Sequence, residues 1–182
     1  MRKVLFILGQ LSDNDTEWMA RAGTKKSISD GDVIIQEGVG NPDLFILLQG
    51  ILRIEDAKIG PIAELGTGEI VGEMSFVDNA PPSASVIAKG DCMVLQLSHD
   101  LLESRIEADP FFGMRLYKAL SFFLADRLRG TVRRFGYGEA NTNLDSDEIL
   151  ADELDENLLD TVSIAGDRFD RMLKQLASAK TA

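Results

Sequence analysis

The residues able to do chemistry gather in one stretch, Gly68–Val86, which reads GEIVGEMSFVDNAPPSASV. Gly72-Glu73-Met74-Ser75 has the form of a tight turn opening a very short helix. Free backbone N–H groups at a helix start attract anions, and glycine lets the backbone come close to a phosphate. Glu73 then stands where a carboxylate accepts hydrogen bonds from a sugar hydroxyl, as carboxylates do in other nucleotide sites. Ser83 and Ser85 add hydroxyl donors on the returning strand. The same spacing also fits a plain β-turn whose glutamate is satisfied by backbone N–H groups, so the residues alone leave both readings open.

Other chemistries find little support. The chain has one histidine, His99, and one cysteine, Cys92. A multi-histidine metal site is therefore impossible, and no metal is expected. His99 reads as a capping or surface residue at a helix start, and Cys92 as a small strand residue. A lone cysteine forms no internal disulfide, which favours a reducing, cytoplasmic setting. There is no nucleophile elbow, P-loop or zinc-ligand spacing, so an enzyme is not expected.

Charge is distributed unevenly. The 182 residues carry a net charge of −11, with 45% apolar and 27% charged side chains, a globular balance. Residues 139–182 hold 11 acids and 4 bases, and Glu139–Asp160 holds 9 acids and no base. That break in composition divides the chain into 1–135 and an acidic linker with a helical tail, 136–182. An acidic chain is repelled by phosphate backbones, and Arg127, Arg129, Arg133 and Arg134 are expected to pair with the tail or stay solvated, so no DNA partner is expected. No apolar run approaches the roughly 18–20 residues of a membrane span. Val4–Leu8 is too short for a signal-peptide core and reads as part of the fold.

The positioning elements follow from punctuation and period. Short apolar runs, Asp32–Gln36, Leu44–Gln49, Ile51–Glu55, Ile62–Leu65, Ile70–Val71, Ser83–Ala88 and Met93–Leu97, are separated by Gly- and Pro-rich turns and read as strands. Leu44–Leu48 is apolar on both faces, the mark of a covered central strand. Ser12-Asp13-Asn14-Asp15 offers caps for a predicted short helix to about Ala22, and Ser98 is placed to cap one over His99–Glu107. Pro110 opens a long helix, with apolar residues at three- and four-residue steps from Phe111 to Val132. Its apolar surface is too wide for one contact, which predicts packing on the β-block with one face and on a second subunit with the other. In the tail, Leu150, Leu154, Leu158 and Leu159 mark a weak acidic helix and Ile164–Leu176 a better one.

The Gly68–Val86 stretch resembles the phosphate-binding cassette of the cyclic nucleotide-binding domain family. Val71-Gly72-Glu73-Met74-Ser75 is similar to its first half, and Pro81 with Ser83-Ala84-Ser85-Val86 to its second. Upstream, Gly31–Gly38 and Leu44–Gly50 resemble two of the family's strand motifs in the same order. The likeness covers about residues 9–135. It implies an α+β fold, a jelly roll of the double-stranded β-helix kind, with short N-terminal and hinge helices and a long C-helix. It implies a ligand set of Gly72, Glu73, Met74, Ser75, Pro82, Ser83 and Ala84, with Thr131 from the C-helix. One departure stands out: where the family has a phosphate-pairing arginine, this chain has Pro82, with Arg53 as a conceivable substitute from another strand.

The resemblance therefore implies a non-catalytic regulator. It would bind a cyclic nucleotide, cyclic AMP before cyclic GMP, or a related small anion. It would signal as a homodimer through the C-helix and the tail to a partner protein. Pro82 keeps a second reading open, a ligand-independent dimeric interaction module with a degenerate pocket. The tail is either a solvating extension or a helix that docks into an apolar groove of the same chain, the other subunit or another protein.

Overall fold

The computed structural model describes residues 4–136 and 156–178. Two helices, α1 (Val4–Gln10) and α2 (Asp13–Ala22), precede the strands β1 (Thr24–Ile28), β2 (Val33–Ile35), β3 (Asp43–Asp56), β4 (Gly60–Gly66) and β5 (Ile70–Val71). The short α3 (Glu73–Asp78) follows, then β6 (Ser85–Ser98), α4 (His99–Ala108), the long α5 (Pro110–Gly136) and α6 (Glu156–Ser178). The strands form an antiparallel roll ordered β1-β6-β3-β4, with β2 also on β6 and β5 on β3.

Two pairs of expected strands merge. Leu44–Gln49 and Ile51–Glu55 are halves of β3, and most of Ser83–Ala88 joins Met93–Leu97 in β6. The glycines between those runs, Gly50 and Gly90, bend the strands instead of ending them. Gly50 has φ +101°, and a Cβ there would meet Cys92 Sγ at 2.7 Å. The β3–β6 register slips on both sides of Gln49. Such bulges kink and twist a strand pair, which lets one pair serve both walls of the roll. The polar strand β1, TKKSI, carries no apolar alternation and pairs at the edge with Gln96 to Cys92, so pattern alone gave no sign of it.

Alternation along β3 explains its two-sided apolar character. Phe45, Leu47 and Leu52 point into the roll beside Ile35, Val71, Val86 and Val94. Leu44, Ile46 and Leu48 point to the helices, against Leu95, Leu97, Phe112, Leu116 and Phe123. Of the caps offered at 12–15 Ser12 is the one used, its Oγ accepting from Asp15 N at 3.2 Å, and Ser98 caps α4 as expected, its Oγ accepting from Leu101 N at 3.2 Å. On α5, Phe112, Leu116, Ala119, Leu120 and Phe123 are buried, whereas Phe111, Met114, Leu128 and Val132 are exposed.

Helix α6 lies on the same chain. Ala165, Phe169, Met172 and Leu176 join the core that holds Ile7, Leu8 and Met19. Arg168 clamps it: Nε pairs with Asp13 Oδ1 at 2.6 Å, and Nη1 donates to the Leu8 carbonyl at 2.8 Å. That carbonyl is one of the last in α1, where helix geometry leaves acceptors unpaired. Leu150 and Leu154 of the expected weak helix lie outside the described residues, as do the side chains of Leu158 and Leu159. No described helix is long and apolar enough to cross a membrane.

Candidate functional site

The site is built where β5 turns into α3. Gly72 is the N-cap, with φ +87°, and a side chain there would collide with the Asp43 carbonyl oxygen. Only glycine combines that left-handed backbone with so close an approach. The helix then runs Glu73–Asp78. Glu73 is 1% exposed and Ser75 is buried, whereas Met74 faces out at 51%. Asn79, φ 56°, ends the turn.

The second half of the stretch arrives by another route. Pro82 and Ala84 are half-buried and Ser83 is exposed. The Pro82 carbonyl accepts from Gly38 N at 2.8 Å. Ser85 Oγ accepts from Glu37 N at 3.0 Å and Gln36 Nε2 at 3.3 Å, so that hydroxyl holds the Gln36–Gly38 turn. Segment 36–43 thus touches both halves: Gly38 meets Pro82, and Asn41 and Asp43 meet Gly72. A cleft of about 400 Å³ is lined by this segment and β2, with Val33, Ile35, Val39, Asn41 and Pro42 among its walls.

The electrostatic centre is a pair that sequence reading missed. Arg127 of α5 donates from Nη1 to Glu73 Oε1 at 2.5 Å and from Nη2 to the Ile70 carbonyl at 3.1 Å. Glu69 Oε2 stands 3.9 Å from Nη2, and the guanidinium lies over the Phe123 ring at 4.6 Å. Burial pushes the Glu73 carboxyl above its usual range, and the Arg127 charge opposes that shift. The expectation that Arg127 pairs with the acidic tail or stays solvated is therefore corrected. Its signal was in the helix: position 127 is the next four-residue step after Phe123 on the buried stripe of α5.

Other expected residues fall as follows. Thr131 belongs to α5, and its side chain lies outside the described residues. Arg53 stands between Leu52 and Ile54, whose side chains pack toward the roll's interior, so its own leaves on the opposite face, where it pairs with Glu55 at 2.6 Å. It is not placed to stand in for an arginine at 82. His99 is half-buried rather than a surface residue, and Ser98 is the cap. Phe76 lies between the His99 ring, edge-on at 5.2 Å, and the Tyr117 ring, stacked at 5.8 Å. Among the described residues, no group of three or more His, Cys, Asp or Glu is arranged to hold a metal.

Comparison with known proteins fits this geometry. The cyclic nucleotide-binding domain model matches residues 25–109. A cyclic nucleotide-binding domain from Methylobacillus flagellatus superposes with a TM-score of 0.66 at 24% identity, covering 77% of this chain and 84% of that one. The cAMP-dependent protein kinase regulatory subunit of Candida albicans is 27% identical over 95 residues, 52% of this chain and 21% of that protein. The lysophospholipase NTE1 of Chaetomium globosum is 28% identical over 109 residues, 58% of this chain and 7% of that protein. The chain thus spans about a fifth or less of the length of these two relatives, one a kinase regulator and the other named as an enzyme. With the jelly roll, the glycine-capped turn and its buried glutamate all inside the matched segment, residues 25–109 belong to the cyclic nucleotide-binding domain family.

Proposed function

We propose that this chain is a non-catalytic sensor that binds a cyclic nucleotide, cyclic AMP in preference to cyclic GMP, or a related small anion. The ligand set is Gly72, Glu73, Met74, Ser75, Pro82, Ser83, Ala84 and Thr131. The observation that carries the reading is the buried Glu73 held by Arg127 of α5. A sugar hydroxyl that hydrogen-bonds Glu73 competes with Arg127 for the same carboxylate. Arg127 then has Glu69 within 3.9 Å as a neighbouring acceptor. Ligand occupancy thereby biases α5, and through the core that α5 shares with α1 and α6 it biases the tail. The ligand shifts that balance only by its differential affinity for the two arrangements. Output to a protein partner runs through the C-helix and the acidic tail, in a cytoplasmic setting with no metal and no DNA involved.

Titration calorimetry with cyclic AMP and then cyclic GMP tests this on protein freed of carried-over ligand. Micromolar binding is expected, and Glu73→Ala weakens it by about 10–100-fold through loss of a charge-assisted hydrogen bond. No heat and no thermal shift at millimolar ligand overturns the reading. That outcome selects a ligand-independent interaction module, which Pro82 favours because it brings neither charge nor N–H to the cassette.

The exposed stripe on α5 carries the second part of the proposal, a homodimer. Phe111 is 69% and Leu128 64% exposed, with Met114 and Val132 on the same spacing. Light scattering is expected to give twice the monomer mass, and Leu128→Glu to return it to the monomer value. A monomeric wild type removes the dimer.

A further inference from the structure

His99 is the one histidine of the chain and takes no part in the proposed ligand set. It opens α4 directly after β6, and its main-chain N–H donates to the Pro42 carbonyl at 2.8 Å. Its ring meets Phe76 of α3 edge-on at 5.2 Å. The Asp43 backbone faces the ring as well. The Asp43 carbonyl accepts from Asn41 Nδ2 at 2.5 Å and abuts Gly72, the N-cap of α3. The imidazole therefore reaches α3 from two sides, through Phe76 and through the carbonyl on which Gly72 rests.

The ring nitrogen Nε2 is buried and has no hydrogen-bond partner among the described residues. A neutral imidazole with its proton on Nδ1 places only a lone pair there. An imidazolium places a charged N–H there, at a helix N-terminus whose own dipole repels a cation. Burying an unpaired charge is far costlier than burying an unpaired neutral group. The facing groups are Asp43 from β3, Asp100 and Glu103 from α4, and the uncharged Phe76 of α3 with Tyr117 of α5 behind it. We infer that His99 is a proton-sensitive pin: neutral, it stays lodged between Phe76 and the Asp43 backbone, and protonated, it leaves and loosens α3 from the start of α4.

The direction of the pH effect follows. Burial holds the lodged imidazole below its ordinary value of 6.5, against the pull of Asp43, Glu103 and Asp100. Released into water, it regains that ordinary value. The released form binds more protons, so the pin is secure above 6.5 and is lost as pH falls from there through the lodged value. The ratio of released to lodged forms rises by up to about tenfold per pH unit. Because α3 bears Glu73 and Ser75, acid loosens the proposed ligand site, but the pin itself does not depend on what that site binds.

The test uses the full chain without ligand. The single imidazole gives one Hε1 resonance, followed by NMR between about pH 5 and 8. Amide-exchange protection of residues 73–78, corrected for intrinsic rates, is measured over the same range. The imidazole is expected to titrate below 6.5, and protection is expected to fall along the same curve. The neutral variant His99→Gln removes that step, and Phe76→Leu, which takes away the covering ring, moves the midpoint up toward 6.5. An imidazole titrating at or above its ordinary value overturns the inference. So does a protection step that survives His99→Gln, or a midpoint indifferent to Phe76→Leu.

Discussion

Replacing Pro82 by arginine is expected to raise the affinity for cyclic AMP by about a hundredfold to a few thousandfold. A cyclic phosphate is an anion, and a semi-buried anion without a counter-charge costs about 3–5 kcal/mol relative to a paired one. At about 1.4 kcal/mol per decade, that is the stated range. The backbone accepts the change readily. Proline has no N–H, so no hydrogen bond is lost, and the bond from Gly38 N uses the residue-82 carbonyl, which arginine keeps. Position 82 is half-buried, so the new guanidinium is only partly screened by water. A bidentate fork is needed for the full effect, so Pro82→Lys should gain distinctly less. Calorimetry on the two variants and the wild type decides the matter. If Pro82→Arg binds no more tightly than the wild type, the phosphate does not sit at residue 82, and the ligand placement proposed for Ser83 and Ala84 fails with it.

Local features of the site were legible in the sequence, and long-range ones were not. Gly72 was readable because a left-handed, tightly packed position at a helix start admits glycine and little else. The cap at Ser98, and the group 12–15 that holds the cap of α2, were readable because capping acts over three residues. The strand breaks at Gly50 and Gly90 were seen but misassigned, because a glycine that bends a strand and one that ends it leave the same local trace. Arg127 went unread because its acceptor lies 54 residues away, and helical spacing gives the face but not what sits opposite it. Arg53 was the converse case: alternation with Leu52 and Ile54 already set it on the outer face, had the roll's interior been known. The partner of α6 was hidden for the same reason, since the Arg168–Asp13 contact spans 155 residues.

The largest stability effect is expected at Asp15. This carboxylate is 1% exposed, yet it belongs to a surface-facing helix whose remaining first-turn acid, Asp13, is exposed. It accepts twice from Arg115 of α5, at 2.7 Å from Nε and 2.9 Å from Nη2, and once from Ser12 N at 2.8 Å. It thus closes the capping box of α2 and ties α2 to the long helix. Asp15→Ala uncaps α2 and leaves the half-buried Arg115 guanidinium with Asp109 at 3.8 Å, for a loss of about 2–4 kcal/mol from the cap and the charge-assisted bonds. Burial alone would raise the Asp15 pKa, but the bonds from Arg115 and Ser12 outweigh it and hold the carboxyl below its usual value of 3.8. The folded state therefore binds this proton less readily than the unfolded chain. The contribution is fully present above 3.8 and is lost as pH falls from there through the folded value. Urea unfolding of wild type, Asp15→Ala, Arg115→Ala and the double variant isolates the pair, and the two losses should be strongly non-additive. The wild type should also lose more stability in acid than Asp15→Ala. Additive losses would mean that Asp15 acts only as the partner of Ser12, and that α2 and α5 are joined by their apolar contacts alone.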